Sequence, residues 1–114
     1  MVIKETGLNG KEALLVDMDT YMHDLGFVRW AWDYQHATYD YKLVEKGTTY
    51  YLRIQANAVE GRLEESHALL RLDEPFMGKH IFPHGVDYDA PIPDNVLKNA
   101  RAKLQALGEK LANH

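Results

Sequence analysis

The sequence predicts an α+β fold, a curved antiparallel β-sheet packed by helices in the order β-α-β-β-β-β-α. Three observations predict it. Four consecutive segments between Phe27 and Leu72 alternate apolar and polar residues and are separated by turn signals. Two further segments, before Gly26 and after Pro93, repeat apolar residues at helical spacing. The 114 residues are 46% hydrophobic and 26% charged, which is ordinary globular usage.

Composition also excludes classes of function. The chain has no cysteine, so thiol chemistry, disulfides and all-thiolate metal sites are ruled out. No apolar run approaches the roughly 20 residues of a membrane span, and no signal-peptide core is present. A single cytoplasmic domain over residues 1–114 is the expectation, with no membrane association. The net charge of −4 disfavours nucleic acid, and the mildly basic last segment has no aromatic interleaving.

The elements follow in chain order. Met1 to Leu8 alternate loosely and suggest a short strand, closed by the Asn9-Gly10 turn signal. Leu14, Met18, Tyr21, Met22 and Leu25 fall on one helical face, and Gly26 supplies the left-handed residue that ends a helix. The start of that helix stays open, because Asp17 can serve as an N-cap and leave residues 12–16 extended. Phe27–Tyr34 places Val28, Trp30, Trp32 and Tyr34 on one face, with Arg29 and Asp33 opposite. After a turn at Gln35-His36, Ala37–Glu45 places Tyr39, Tyr41 and Leu43 together. Lys46-Gly47 is a tight hairpin signal. Thr48–Ala58 then places Tyr50, Leu52, Ile54, Ala56 and Ala58 on one face. Arg62–Leu72 is a blurred fourth run that suggests a bulge or an edge.

Short turns make these strands antiparallel neighbours, and their apolar face needs a cover. The last helix provides one. Pro91, Pro93 and Asp94 mark its start, and Val96, Leu97, Ala100, Leu104, Leu107 and Leu111 form its stripe. Residues 73–92 are long for a plain connection; either residues 79–82 form another strand or the loop has a function.

Several segments carry a resemblance: Gly26-Phe27-Val28-Arg29-Trp30-Ala31-Trp32-Asp33-Tyr34, then Ala37-Thr38-Tyr39-Asp40, Tyr50-Tyr51-Leu52-Arg53 and Ala58-Val59-Glu60-Gly61. Together with His84-Gly85-Val86-Asp87-Tyr88, they resemble the YugN-like family of small bacterial proteins, over nearly the whole chain. The resemblance implies a TATA-binding-protein-like α+β architecture. It implies no activity and no catalytic residues.

Three constellations are candidates for chemistry. Eight of the twelve aromatic residues lie between Phe27 and Tyr51. Trp30, Trp32, Tyr34, Tyr39, Tyr41 and Tyr50, with Arg53, are therefore a candidate ligand pocket between sheet and helix. The alternative is that these rings simply fill the core. His80, His84, Asp87 and Asp89 are a candidate metal set, although Pro83 argues against a helix presenting both histidines. The polar sheet face, with Arg29, Asp33, Asp40, Lys42, Arg53, Gln55, Asn57, Glu65 and His67, reads as solvated charge pairs or as a surface for a partner chain. No phosphate loop or nucleophile elbow is present, and Ser66 is the single serine.

The expectation is a non-enzymatic binding or protein-interaction module without a cofactor, for which a homodimer is the default assembly. The alternative is a small-ligand binder or enzyme using the aromatic pocket.

Overall fold

The computed structural model describes residues 1–81, 83 and 85–113. Its first element is not at the N-terminus. Residues 1–8 make one isolated bridge, Val2 with Phe76, and otherwise run irregularly while burying Ile3 and Leu8 completely. The first strand, β1, is Glu12–Leu14. It pairs antiparallel with a strand 55 to 59 residues away, a partner that periodicity cannot reveal.

Helix α1, Leu15–Asp24, follows directly. No side chain caps its start; Leu15 and Val16 instead donate to the carbonyls of Ala68 (2.8 Å) and Ser66 (3.1 Å). A distant loop thus satisfies amides left free by the first turn. Asp17 lies within the first turn rather than at the cap. The helix ends as expected at Gly26 (φ 93°). Gly26 N–H donates to His23 and Phe27 N–H to Met22, the paired bonds of a Schellman motif, and buried Phe27 packs beside buried Met22.

The sheet is built on one long hairpin. Strands β3 (His36–Glu45) and β4 (Thr48–Glu60) pair from His36↔Asn57 to Glu45↔Thr48. The two-residue turn takes positive φ at both Lys46 (50°) and Gly47 (79°), which matches the twist of the flanking strands. Along its other side β4 has two partners. Its end pairs with β5 (Leu69–Leu72) and its start with β6 (Phe76–His80). Pairing with β5 shifts between Ala58 and Glu60, so the expected irregularity exists, placed in β4. β7 (Val86–Asp87) pairs with β6. β2, shortened to Val28–Ala31, pairs with β3 and forms an outer edge of the sheet.

Among the described residues the order is therefore β1-α1-β2-β3-β4-β5-β6-β7-α2, a mixed α+β fold with a curved antiparallel sheet. The predicted β-α-β-β-β-β-α order changes at both flanks. The first strand moves from residues 1–8 to Glu12–Leu14, and the 73–92 stretch contributes β6 and β7.

Helix α2, Asp94–Ala112, covers the inner face with Val96, Ala100, Leu104, Leu107 and Leu111. Lys103 lies over the Tyr41 ring, 4.9 Å from its centre, where α2 crosses the sheet. Tyr39, Tyr50, Leu52, Ile54, Leu70, Leu72 and Met77 complete this core from the strands. No helix among the described residues is long and apolar enough to cross a membrane.

One face assignment is reversed. Residues opposite each other in a ladder share a face. Arg29 pairs with buried Tyr39, and Trp30 pairs with Thr38 on the opposite face. Buried Phe27 fixes this phase, so Val28 and Trp30 point away from the helices and Arg29 points toward them. Val28, Trp30, Trp32 and Tyr34 are 67%, 46%, 48% and 56% exposed rather than part of the core.

Candidate functional site

Arg29 organises the end of the molecule where β2 meets α1. Its Nε donates to Asp19 Oδ1 at 2.9 Å, and the Tyr39 hydroxyl donates to the same oxygen at 2.6 Å. Burial pushes the Tyr39 hydroxyl well above its ordinary value, and the hydrogen bond to Asp19 and that carboxylate's charge add to the effect. Tyr39 is a neutral donor at physiological pH. The Asp19 pairing was not legible from periodicity. Its signal was position: Asp19 borders the buried Met18 and Met22 stripe, where a charge needs a partner.

Two clefts adjoin Arg29. One, of about 460 Å³, lies between β2 and α1 and is lined by Asp19, Met22, His23, Phe27 and Tyr39. The other, of about 380 Å³, lies beyond β2 and is lined by Ala31, Trp32, Asp33, Tyr34, Leu63 and Glu64. Both run alongside the edge strand itself.

The β2–β3 turn is held by one carboxylate. Asp33 Oδ1 accepts the backbone N–H groups of Gln35 and His36, both at 2.7 Å, and Oδ2 meets His36 Nδ1 at 2.8 Å. The Gln35 amide, followed by the His36 side chain, holds the Asp33 carboxyl below its ordinary value. His36 in turn stacks on Trp32, with ring centres 5.6 Å apart and planes 8° apart. Trp32 is thus positioned while half-exposed, and Arg62 lies over the neighbouring Tyr34 ring.

A second polar network occupies the outer face of the sheet. Trp30 Nε1 donates to Asp40 Oδ2 at 3.0 Å. Asp40 Oδ1 lies 3.1 Å from Arg53 Nε, in charge contact without hydrogen-bond alignment. Arg53 also donates to the Tyr88 hydroxyl and lies over the Tyr51 ring. Both charged side chains of this pair are over four-fifths buried although no helix covers the face. Neighbouring aromatic rings supply that cover.

The structure therefore divides the seven residues proposed as one pocket. Trp32 and Tyr34 line one cleft at Arg29, and Tyr39 lines the other. Trp30 and Arg53 belong to the outer-face network. Tyr50 is core, and Tyr41 packs under Lys103 and beside Phe27. They do not share one wall, because the reversed phase of β2 takes Trp30 through the sheet from Tyr39.

In the proposed metal set, His84 lies outside the described residues. His80 pairs with Val86, so it shares the outer face with Val86, while Asp87 points to the other side. His80 packs edge-on against Tyr51, and Asp87 Oδ1 accepts the Asp89 N–H. Among the described residues no three His, Asp or Glu side chains converge as ligands. Tyr88, Phe76, Leu63 and Glu64 are the site residues that sequence reasoning missed. Ladder register sets Phe76 opposite Arg53, Tyr88 follows β7 and packs edge-on against Phe76, and a loop brings in Leu63 and Glu64.

Two of the three carboxylates in these clefts are engaged internally, Asp19 by Arg29 and Tyr39 and Asp33 by His36 and two amides, while Glu64 is exposed. Arg29 keeps its terminal amino groups free of bonds among the described residues. What the site offers is exposed aromatic surface and one cation beside two clefts.

Comparison with known proteins gives a consistent answer. The model of the YugN-like family matches residues 4–106. The uncharacterized protein YlbA of Bacillus subtilis (strain 168) is 38% identical over 110 residues, covering 94% of this chain and 92% of that protein. The uncharacterized protein YugN of the same organism is 35% identical over 88 residues, covering 76% of this chain and 66% of that protein. The crystal structure of the uncharacterized conserved protein YugN from Geobacillus kaustophilus HTA426 superimposes with a TM-score of 0.88. It is 39% identical, and the match covers 99% of this chain and 96% of that chain. With the family model matching residues 4–106 and a relative 38% identical over 94% of the chain, the chain belongs to the YugN-like family.

Proposed function

We propose that this protein is a non-enzymatic interaction module that acts through the β2 end of its sheet, and that it self-associates as a homodimer in the cytoplasm. One observation carries the reading. Val28, Trp30, Trp32 and Tyr34 are all exposed, on a strand and turn held rigidly by the Schellman motif and the Asp33–His36 pair. Large rings fixed in place at a surface are the usual anchors of protein interfaces. Engagement of Asp19 and Asp33 in structural bonds supports binding over acid–base chemistry at those groups. The test is light scattering from low to high micromolar concentration. The reading predicts a species of twice the 13.1 kDa chain mass, lost in Trp30→Ala with the fold intact by circular dichroism. A monomer at every concentration contradicts the homodimer.

A second reading is favoured by one feature, the free end of Arg29 beside Trp32 and Tyr34. It makes the 380 Å³ cleft a site for a small molecule with an anionic group. Quenching of Trp32 fluorescence by small aromatic carboxylates, abolished in Arg29→Gln, is its expected sign. Equal quenching in both proteins counts against it.

A further inference from the structure

The interface can be specified from the backbone, resting on the self-association reading above. β2 has β3 on one side and no strand on the other. Trp32 N–H donates to His36 C=O, which makes Trp32 and His36 a bonded pair of the antiparallel ladder. Such pairs alternate, so Val28 and Trp30 direct their amides and carbonyls at β3. Arg29 and Ala31 therefore direct theirs away from the sheet, and their amides have no partner among the described residues. An edge of this kind is a template for another strand. Natural edges are commonly blunted by lysine, proline or a bulge. Val28-Arg29-Trp30-Ala31 has no lysine, proline or bulge; it is short, and its one charge, the inward-pointing Arg29, is paired with Asp19.

We infer that the occupant is β2 of a second copy, paired antiparallel about a two-fold axis at Trp30. Three features select this register. It sets Arg29 of each copy opposite Ala31 of the other, so both outward residues of both copies form backbone bonds. Centring the axis on Arg29 would instead oppose two guanidinium groups. Centring it on Ala31 would require bonds from Asp33, which lies in the bend after the strand.

Charge complementarity favours the same arrangement. Arg29 is diagonal to both Asp33 and Arg29 of the second copy, and the Asp33 and Glu64 carboxylates that line the adjoining cleft offset that like charge. The free amino groups of Arg29 would point at those carboxylates, once in each direction. On the opposite face Trp30 meets Trp30, and Val28 meets Trp32. Four residues give few backbone bonds, so these exposed rings supply most of the apolar contact. The result is one sheet continuous through both copies, closed by symmetry.

The experiment is hydrogen exchange of the wild-type protein over a dilution series, with light scattering at each concentration. The inference expects a dimer in which the Arg29 and Ala31 amides become at least tenfold better protected as the dimer fraction rises. The Val28 and Trp30 amides, already bonded to β3, should change little. A dimer without protection at Arg29 and Ala31 overturns the edge pairing and leaves the interaction module standing. A monomer throughout overturns the edge pairing and the homodimer together. Glu64→Lys supplies an independent arm, because Glu64 is exposed and pairs with no other described side chain. It should weaken the dimer about tenfold by facing Arg29 with a like charge; an unchanged dimer constant overturns the charge contact.

Discussion

Asp19 is one carboxylate serving two donors, Arg29 Nε and the Tyr39 hydroxyl. The Tyr39 hydroxyl is held above its ordinary value of 10.0. Its contribution to stability is complete below that pH. It is lost as pH rises further, because the unfolded tyrosine ionises while the native one resists. Tyr39→Phe should therefore cost about 1 kcal/mol at neutral pH through the lost bond to a charged, partly exposed partner. It should also flatten the decline of stability above pH 10, read from urea midpoints. A decline as steep as in the wild type would refute this account of Tyr39. Asp33 has the opposite sign. Its carboxyl lies below the ordinary 3.8, so its contribution is present above that value and fades as pH falls below it. Asp33→Asn should loosen the turn and shift Trp32 emission to longer wavelength. Residue types were legible in the sequence, but these partnerships were not, since Asp19 and Tyr39 lie twenty positions apart.

At the scale of elements, long periodic segments were legible and short ones were not. The β3–β4 hairpin, its Lys46-Gly47 turn, the end of α1 at Gly26 and helix α2 stand where patterning places them. β1 and β7 are three and two residues long, too short to show periodicity, and β1 is defined by a partner distant in sequence. The phase of β2 was misread for a physical reason. An edge strand beyond the cover of the helices can expose its apolar residues, while Arg29 reaches a carboxylate on the inner side. Glycines give the tests here. Gly108 lies inside α2, and an added Cβ would meet only Leu8 Cδ2 at 3.8 Å, an ordinary contact. Gly108→Ala should stabilise the protein by about 0.5–1 kcal/mol through helix propensity. Gly78 on β6 is different, because its Cβ would collide with Val86 and approach Tyr88 Cδ1 at 2.8 Å. Gly78→Ala should destabilise by about 1–3 kcal/mol, read as a lowered thermal midpoint.

At the scale of the whole molecule, both helices cover one face of the sheet while rings and an Asp40–Arg53 pair finish the other. β1, β7 and β2 are terminal strands of the sheet, and β2 is the edge where backbone groups, exposed tryptophans and opposed charges lie together. The candidate site was legible as a concentration of aromatic residues. Its position on an edge was not, because exposure depends on which strands happen to be terminal. The account reduces to a claim about that edge. The most direct test is an isotope-filtered nuclear Overhauser experiment on a dimer mixed from labelled and unlabelled copies. The account predicts contacts between copies from the Trp30 Hα to its counterpart and from the Arg29 amide to Ala31. Contacts between copies confined to any other surface, or none at high micromolar concentration, would contradict it.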